Sequence, residues 1–211
     1  MHPLLFWLDH LVYITPDINQ TIKDLSTLLG VTAILGGQHP VWGTRNALLA
    51  LGPKVYFEIM GPDPTLSRPG LTRPFNIDRL QEPRLASWVS RSEDLKRTVD
   101  IGRQVGVELG EVQSGNRTKP DGSVLAWTMT DLRTDRENGI VPFFINWGSS
   151  RHPAESTPTG CILKGLKAEH PDPNHLNAIL KAFELDLPIE YGKSVTLTAR
   201  IETKDGVVEI R

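Results

Sequence analysis

From Leu8 the chain runs through a mostly apolar stretch to Ile14, breaks at Thr15-Pro-Asp17, and then spaces Ile18, Ile22, Leu25, Leu28 and Leu29 three and four residues apart. The first stretch reads as a buried strand and the second as an amphipathic helix. Gly30 ends that helix. Strand-like stretches follow at 31–35, 46–51 and 54–60, divided by Gly36-Gly37 and Gly52-Pro53, which punctuate as turns. The predicted unit is βαβββ.

The same order returns from Arg84. A strand at 85–90 leads to Asp94 and a helix carrying Leu95, Val99 and Val105, closed by Gly106; strands are expected at 111–113, 124–130 and 141–147, with an Asp121-Gly122 hairpin turn. A third pass has a strand at 160–169, Pro171-Asp172, a helix carrying Leu176, Ile179, Leu180 and Phe183, and strands at 189–191, 195–202 and 207–210. Lys204-Asp-Gly206 marks its last hairpin. The three starts align as 11–17, 88–94 and 166–172, so a strand, an Asp near a helix N-terminus and a helix recur in register. The expected fold is α+β, with a first module at 1–61, a connecting loop at 62–83, a second module at 84–148, a linker at 149–159 and a third βαβββ-like unit at 160–211. The two connectors are rich in proline with arginine or serine, and loops of that length in a compact protein often fold over a cleft.

Composition narrows the function. With 39% hydrophobic residues, 23% charged residues and a net charge of −2, the chain lacks the basic excess of a dedicated nucleic-acid binder. A single cysteine, Cys161, excludes an intrachain disulfide and a thiolate metal cage. The apolar residues 3–8 are too few for a membrane span and carry no basic flank or small-residue cleavage site. A soluble, cytoplasmic protein without a membrane partner is therefore expected. No P-loop or Rossmann glycine fingerprint is present, so no nucleotide cofactor is expected, and no GxSxG elbow accompanies the lone cysteine.

Two polar residues interrupt apolar strands. Glu58 lies on the face of Tyr56 and Met60, and His10 on the face of Val12 and Ile14. A carboxylate in an apolar sheet needs a cation, a metal or several donors, which makes the pair a candidate site; a satisfied core pair is the plainer alternative. His39, after two glycines and before Pro40, is either a turn residue or a third member. Thr44 and Asn46 share a face of the third strand and present a hydroxyl and an amide, or else cap the hairpin. Trp127 and Trp147 are either core or the walls of an apolar pocket, to which Asn146 and His152 would add polar contacts.

The blocks Leu8-Asp-His-Leu-Val-Tyr-Ile-Thr-Pro-Asp17, Gly36-Gly-Gln-His-Pro40 with Gly43-Thr-Arg-Asn-Ala-Leu-Leu49, and Phe57-Glu-Ile-Met-Gly-Pro-Asp63 resemble a glyoxalase-like domain protein of the vicinal-oxygen-chelate superfamily. Arg117 to Trp127, Val141-Pro-Phe-Phe-Ile-Asn-Trp-Gly148 and His152-Pro153 resemble the same subgroup. The resemblance implies two paired modules enclosing a pocket, commonly with one divalent metal held by the first and last strands of each module. His10 and Glu58 match that pattern. The second module departs from it, offering Ser87 or Trp88 on its first strand and Ile145 or Asn146 on its last; the third offers Gly165. With His39 as a third ligand, a His10, Glu58 and His39 set would suit iron, manganese or zinc; without it, metal should be weak or absent.

The implied function is binding of a small organic molecule, with Glu58 as the base of a lyase or isomerase acting beside a carbonyl and His10, His39 or a metal stabilising the oxygen. The alternatives are a non-catalytic, drug-sequestering type of binding protein and a metal-dependent dioxygenase. The resemblance also allows a homodimer, since superfamily members pair modules within a chain or across two.

Overall fold

The computed structural model describes residues 7–66, 70–118, 124–134 and 136–211. Most of the apolar N-terminal stretch and the expected Asp121-Gly122 turn lie outside the described residues. In the first module β1 (Leu8–Ile14) leads to α1 (Ile18–Leu29), β2 (Ile34–His39), β3 (Thr44–Gly52) and β4 (Val55–Pro62). The second module has β5 (Arg84–Arg91), α2 (Leu95–Gln104), β6 (Gln113–Thr118), β7 (Val124–Met129) and β8 (Phe143–Asn146). The third unit has β9 (Ile162–His170), α3 (Pro173–Ala182), β10 (Ile189–Tyr191), β11 (Thr196–Thr203) and β12 (Gly206–Ile210).

The recurrent aspartates are helix caps. Asp17 accepts from the backbone N–H groups of Asn19 and Gln20, Asp94 from that of Arg97 and Asp172 from that of His175. Each satisfies donors that a first helical turn leaves open, at a typical worth of about 1 kcal/mol. Gly30, at φ 70°, closes α1 in the left-handed conformation that only glycine adopts without strain.

One sheet of eight strands in the order β2-β3-β4-β1-β5-β8-β7-β6 joins the first two modules. In each module the first strand runs parallel to the last, β1 with β4 and β5 with β8, and the modules meet where β1 pairs antiparallel with β5. Period-two alternation then sorts the side chains. Leu11, Leu49, Phe57, Ile59 and Trp88 face a large core shared with α1 and the third unit, while Val12, Met60, Val89, Trp127, Met129, Phe143 and Ile145 gather on the opposite side. Trp88 is fully buried and donates its Nε1–H to the Ile140 carbonyl at 2.8 Å.

The third unit keeps the βαβββ element order but not its topology. Its sheet runs β10-β9-β11-β12, so β9 is flanked by the strand that follows the helix, in parallel, and by β11. It adds no strand to the large sheet; instead Leu163, Leu166, Leu176 and Leu197 enter the main core. Two strands are also displaced from expectation. β2 begins at Ile34 and reaches His39, and β6 begins at Gln113, because in each case pairing with the next strand extends the ladder beyond the apolar run.

Candidate functional site

His10 on β1 and Glu58 on β4 project to the side opposite α1 and line one cavity with His39, Trp42, Asn46, Tyr56, Trp127 and Trp147. The parallel pairing places Glu58 beside Val12, two residues beyond His10. His10 Nε2 stands 3.5 Å from Glu58 Oε2, a contact longer than a normal hydrogen bond. Both residues are buried, at 4% and 6% exposure. Tyr56 stacks on the His10 ring with centroids 4.3 Å apart and planes inclined by 16°.

Asp9 completes the arrangement. Pairing of β1 with β5 slips between Leu8 and His10, a bulge that lets neighbouring side chains converge instead of alternating. His10 Nδ1 and Asp9 Oδ1 are 2.7 Å apart. Asp9 Oδ2 accepts from Trp147 Nε1 at 3.1 Å, lies 3.1 Å from His152 Nε2, and forms an ion pair with Arg91 Nε at 3.3 Å. His152 Nδ1 accepts from the Ala154 backbone N–H at 3.2 Å, which leaves the Nε2 proton for Asp9.

On the other side, Asn46 Nδ2 donates to Glu58 Oε1 at 2.6 Å and lies 3.3 Å from His39 Nε2, while His39 Nδ1 lies 3.0 Å from Thr44 Oγ1. The short bond to Glu58 fixes the amide orientation, since the reverse would set two oxygens against each other. Two buried polar atoms in the cavity lining then have no hydrogen-bond partner among the described residues: the Asn46 Oδ1 acceptor and the Trp42 Nε1 donor. Native interiors rarely leave such groups unmet, and a ligand with a donor and an acceptor would satisfy both.

The charges are settled by opposition. Burial alone would raise the Glu58 pKa, but the close contact and charge of His10, with His39 and Asn46 behind, bring it down to about 2. Asp9 is held well below the carboxylate range: burial opposes this, and the bonds and charges of His10 and His152 outweigh it. Burial pushes His10 down, yet Asp9 and Glu58 together raise it above its ordinary 6.5. The two carboxylates thus favour the protonated form of the imidazole that lies between them.

The sequence-derived candidates separate accordingly. His10, Glu58, His39, Asn46, Trp127 and Trp147 line the cavity. Thr44 stands behind the site, fully buried against His39, rather than in it. His39 is the last residue of β2, not a loop residue. Asn146 turns away, donating to the Glu93 carbonyl at 3.1 Å and accepting from the Gly148 N–H at 2.7 Å. His152 supports Asp9 and does not reach the cavity. Asp9, Tyr56, Arg91 and Trp42 escaped sequence reasoning; for Asp9 the bulge defeats the period-two rule that would have placed it on the other face.

The donor set does not fit the superfamily's metal. Among the described residues no three His, Cys, Asp or Glu side chains stand together so as to hold an ion. The His10, Glu58 and His39 set is interrupted by the Asn46 amide, which occupies both His39 Nε2 and Glu58 Oε1. From the second module the cavity receives Trp127, Met129, Leu132, Ile145 and Trp147, none of them a ligand for a hard or borderline cation.

The family model described as glyoxalase-like domain matches residues 8–183, and the chain belongs to that family, within the vicinal-oxygen-chelate superfamily. Among solved structures it is similar to a hypothetical protein from Staphylococcus aureus, at 15% identity and a TM-score of 0.64, covering 97% of this chain and 85% of that one. A methylmalonyl-CoA epimerase from Mycobacterium tuberculosis matches at 18% identity and 0.44, over 69% and 90% of the two chains. A hypothetical protein from Bacillus halodurans matches at 16% and 0.45, over 68% and 96%. A search of the curated proteins finds no match. Among the described residues no helix is long and apolar enough to cross a membrane.

Proposed function

We propose that the protein is an isomerase- or lyase-type enzyme that moves a proton at the carbon beside a carbonyl group, with Glu58 as base and His10 as the donor to the carbonyl oxygen. The observation that carries this reading is the buried His10–Glu58 pair, 3.5 Å apart in a cavity that also holds an unmet donor and an unmet acceptor. A carboxylate at about pKa 2 is a weak base. A carbonyl oxygen that takes the His10 Nε2–H withdraws the interaction that depresses Glu58 most, and burial, which acts in the opposite direction, then raises its basicity. His10 keeps its bond to Asp9 throughout, so its ring stays aimed at the oxygen while negative charge develops there. Asn46 holds the second oxygen of Glu58 and leaves Oε2 toward the substrate.

The cavity has a volume of about 40 Å³, room for little more than a few waters. Substrate entry therefore requires its aromatic walls to part. Trp42 lies in the turn between β2 and β3 beside the exposed Val41, and we assign the opening to that turn.

A second reading, a non-catalytic binding protein, draws support from the same small cavity, in which His10, Glu58, His39 and the Asn46 Nδ2 amide are already engaged with one another. The two separate in deuterium oxide. Carbonyl compounds that quench the fluorescence of the cavity tryptophans are incubated with the protein and followed by proton NMR. Loss of the signal beside the carbonyl, faster than without protein, is expected; ligands that bind but exchange no faster would leave only the binding reading.

A further inference from the structure

A second cleft, of about 820 Å³, lies between the second module and the third unit, within the size range of small-molecule sites. The connecting segment at Arg73, Pro74 and Phe75 forms one wall, β5 and the stretch leading to β8 another, and Val195, Thr196 and Leu197 a third. Arg73, Arg84, Arg133, Arg136 and Arg211 line it, with no Asp or Glu among the described lining residues. Three of these have acidic partners outside the lining: Arg73 with Asp78, Arg133 with Asp131 and Arg211 with Glu209. Arg84 and Arg136 form no ion pair among the described residues.

Arg136 is the unusual one. It is 3% exposed, and its guanidinium carbon lies 4.0 Å from the Phe143 ring centroid. Nη2 donates to the carbonyls of Leu109, at 3.1 Å, and Asp131. Nε and Nη1 are buried with no hydrogen-bond partner among the described residues. Burial without a full counter-charge pushes its pKa down to about 9. A guanidinium so placed offers planar, fixed donors and a charge that a bound anion would neutralise.

We propose that this cleft binds a phosphate-bearing small molecule, with the phosphate held between Arg136 and Arg84 and the organic part against Phe75, Leu132 and Leu197. Two guanidiniums with no ion pair among the described residues call for two negative charges, which one phosphomonoester or diphosphate carries. Its tetrahedral oxygens reach donors in more than one plane, whereas a single carboxylate answers one fork. Leu132 also lines the His10–Glu58 cavity, so the two sites lie back to back across one side chain. The proposal is independent of the proton-transfer reading.

Titration calorimetry of the intact chain with sodium pyrophosphate, at low ionic strength and at high sodium chloride, tests it. Saturable binding that weakens with salt is expected, reduced about tenfold or more by Arg136→Gln and several-fold by Arg84→Gln. Malonate should bind more weakly than pyrophosphate. Arg84 is exposed, so its replacement leaves folding intact; if Arg136→Gln does not fold, Arg84→Gln and Arg136→Lys decide, the latter keeping the charge but losing the planar fork. Absence of saturable binding, or an affinity unchanged in the folded variants, overturns the site. Malonate binding as tightly as pyrophosphate overturns the assignment to phosphate.

Discussion

His10 and Glu58 face each other across 3.5 Å with both side chains buried, too far for a strong hydrogen bond and close enough for each to set the charge of the other. The pair favours a proton on the imidazole because Asp9 lies 2.7 Å from the far nitrogen while Glu58 faces the near one. Asp9 is thus a positioning residue, acting on the cavity through His10 and through Trp147, whose indole N–H it accepts at 3.1 Å.

Replacing Asp9 by Asn should destabilise the fold by about 3–5 kcal/mol, since it strips the shared counter-charge from the buried ion-pair network. His10, His152 and Arg91 all converge on that carboxylate. Urea denaturation measures the loss, and the His10 imidazole, followed by nitrogen NMR, should titrate at lower pH than in the parent. A change under about 1 kcal/mol would place Asp9 among surface-type ion pairs and contradict the network.

Stability should fall on both sides of a window between about pH 5 and 6.5. Asp9 and Glu58 are held below their ordinary values of 3.8 and 4.5, so their contribution is complete above those values and lost as pH falls through the depressed ones, toward about 2 for Glu58. His10 is raised above 6.5, so its contribution is complete below that pH and lost as pH climbs through the raised value. Urea midpoints across the range test both limbs. The alkaline limb should shrink in Glu58→Gln, which removes one of the two anions that charge His10; an unchanged limb in that variant would assign it to another group.

Gly115 on β6 lies directly opposite Trp127 on β7, and an added Cβ would stand 2.5 Å from the indole. Gly115→Ala should therefore displace Trp127, which lines the cavity, cost about 1–3 kcal/mol through overpacking, and shift the tryptophan emission. Unchanged emission and stability would show that the indole has room that the structure does not give it.

The repeated order of strand, aspartate and helix was legible because Asp17, Asp94 and Asp172 are caps, and a cap leaves a local signature. Period two likewise set His10 on the face of Val12 and Ile14 and Glu58 on that of Tyr56 and Met60, and the pairing of β1 with β4 brings those faces together. What escaped depends on pairing between distant segments. The bulge at Asp9 arises only when β1 meets β5, and the strand order of the third unit follows from which edge β10 chooses, which its own apolar pattern does not encode. Thr44 and Asn146 have the right residue types near the site, but their side chains are committed to His39 and to the Glu93 carbonyl. Arg136 sits in an irregular segment where no period announces burial.

The most direct measurement is the rate and affinity of Glu58→Gln with a carbonyl compound that the parent exchanges in deuterium oxide. Gln keeps the volume and one carbonyl acceptor but cannot take up the proton, so affinity should stay within several-fold while the exchange rate falls by roughly 10²-fold or more. Full turnover in the variant would make Glu58 structural and remove the proton-transfer mechanism, leaving the fold and its cavity as they stand.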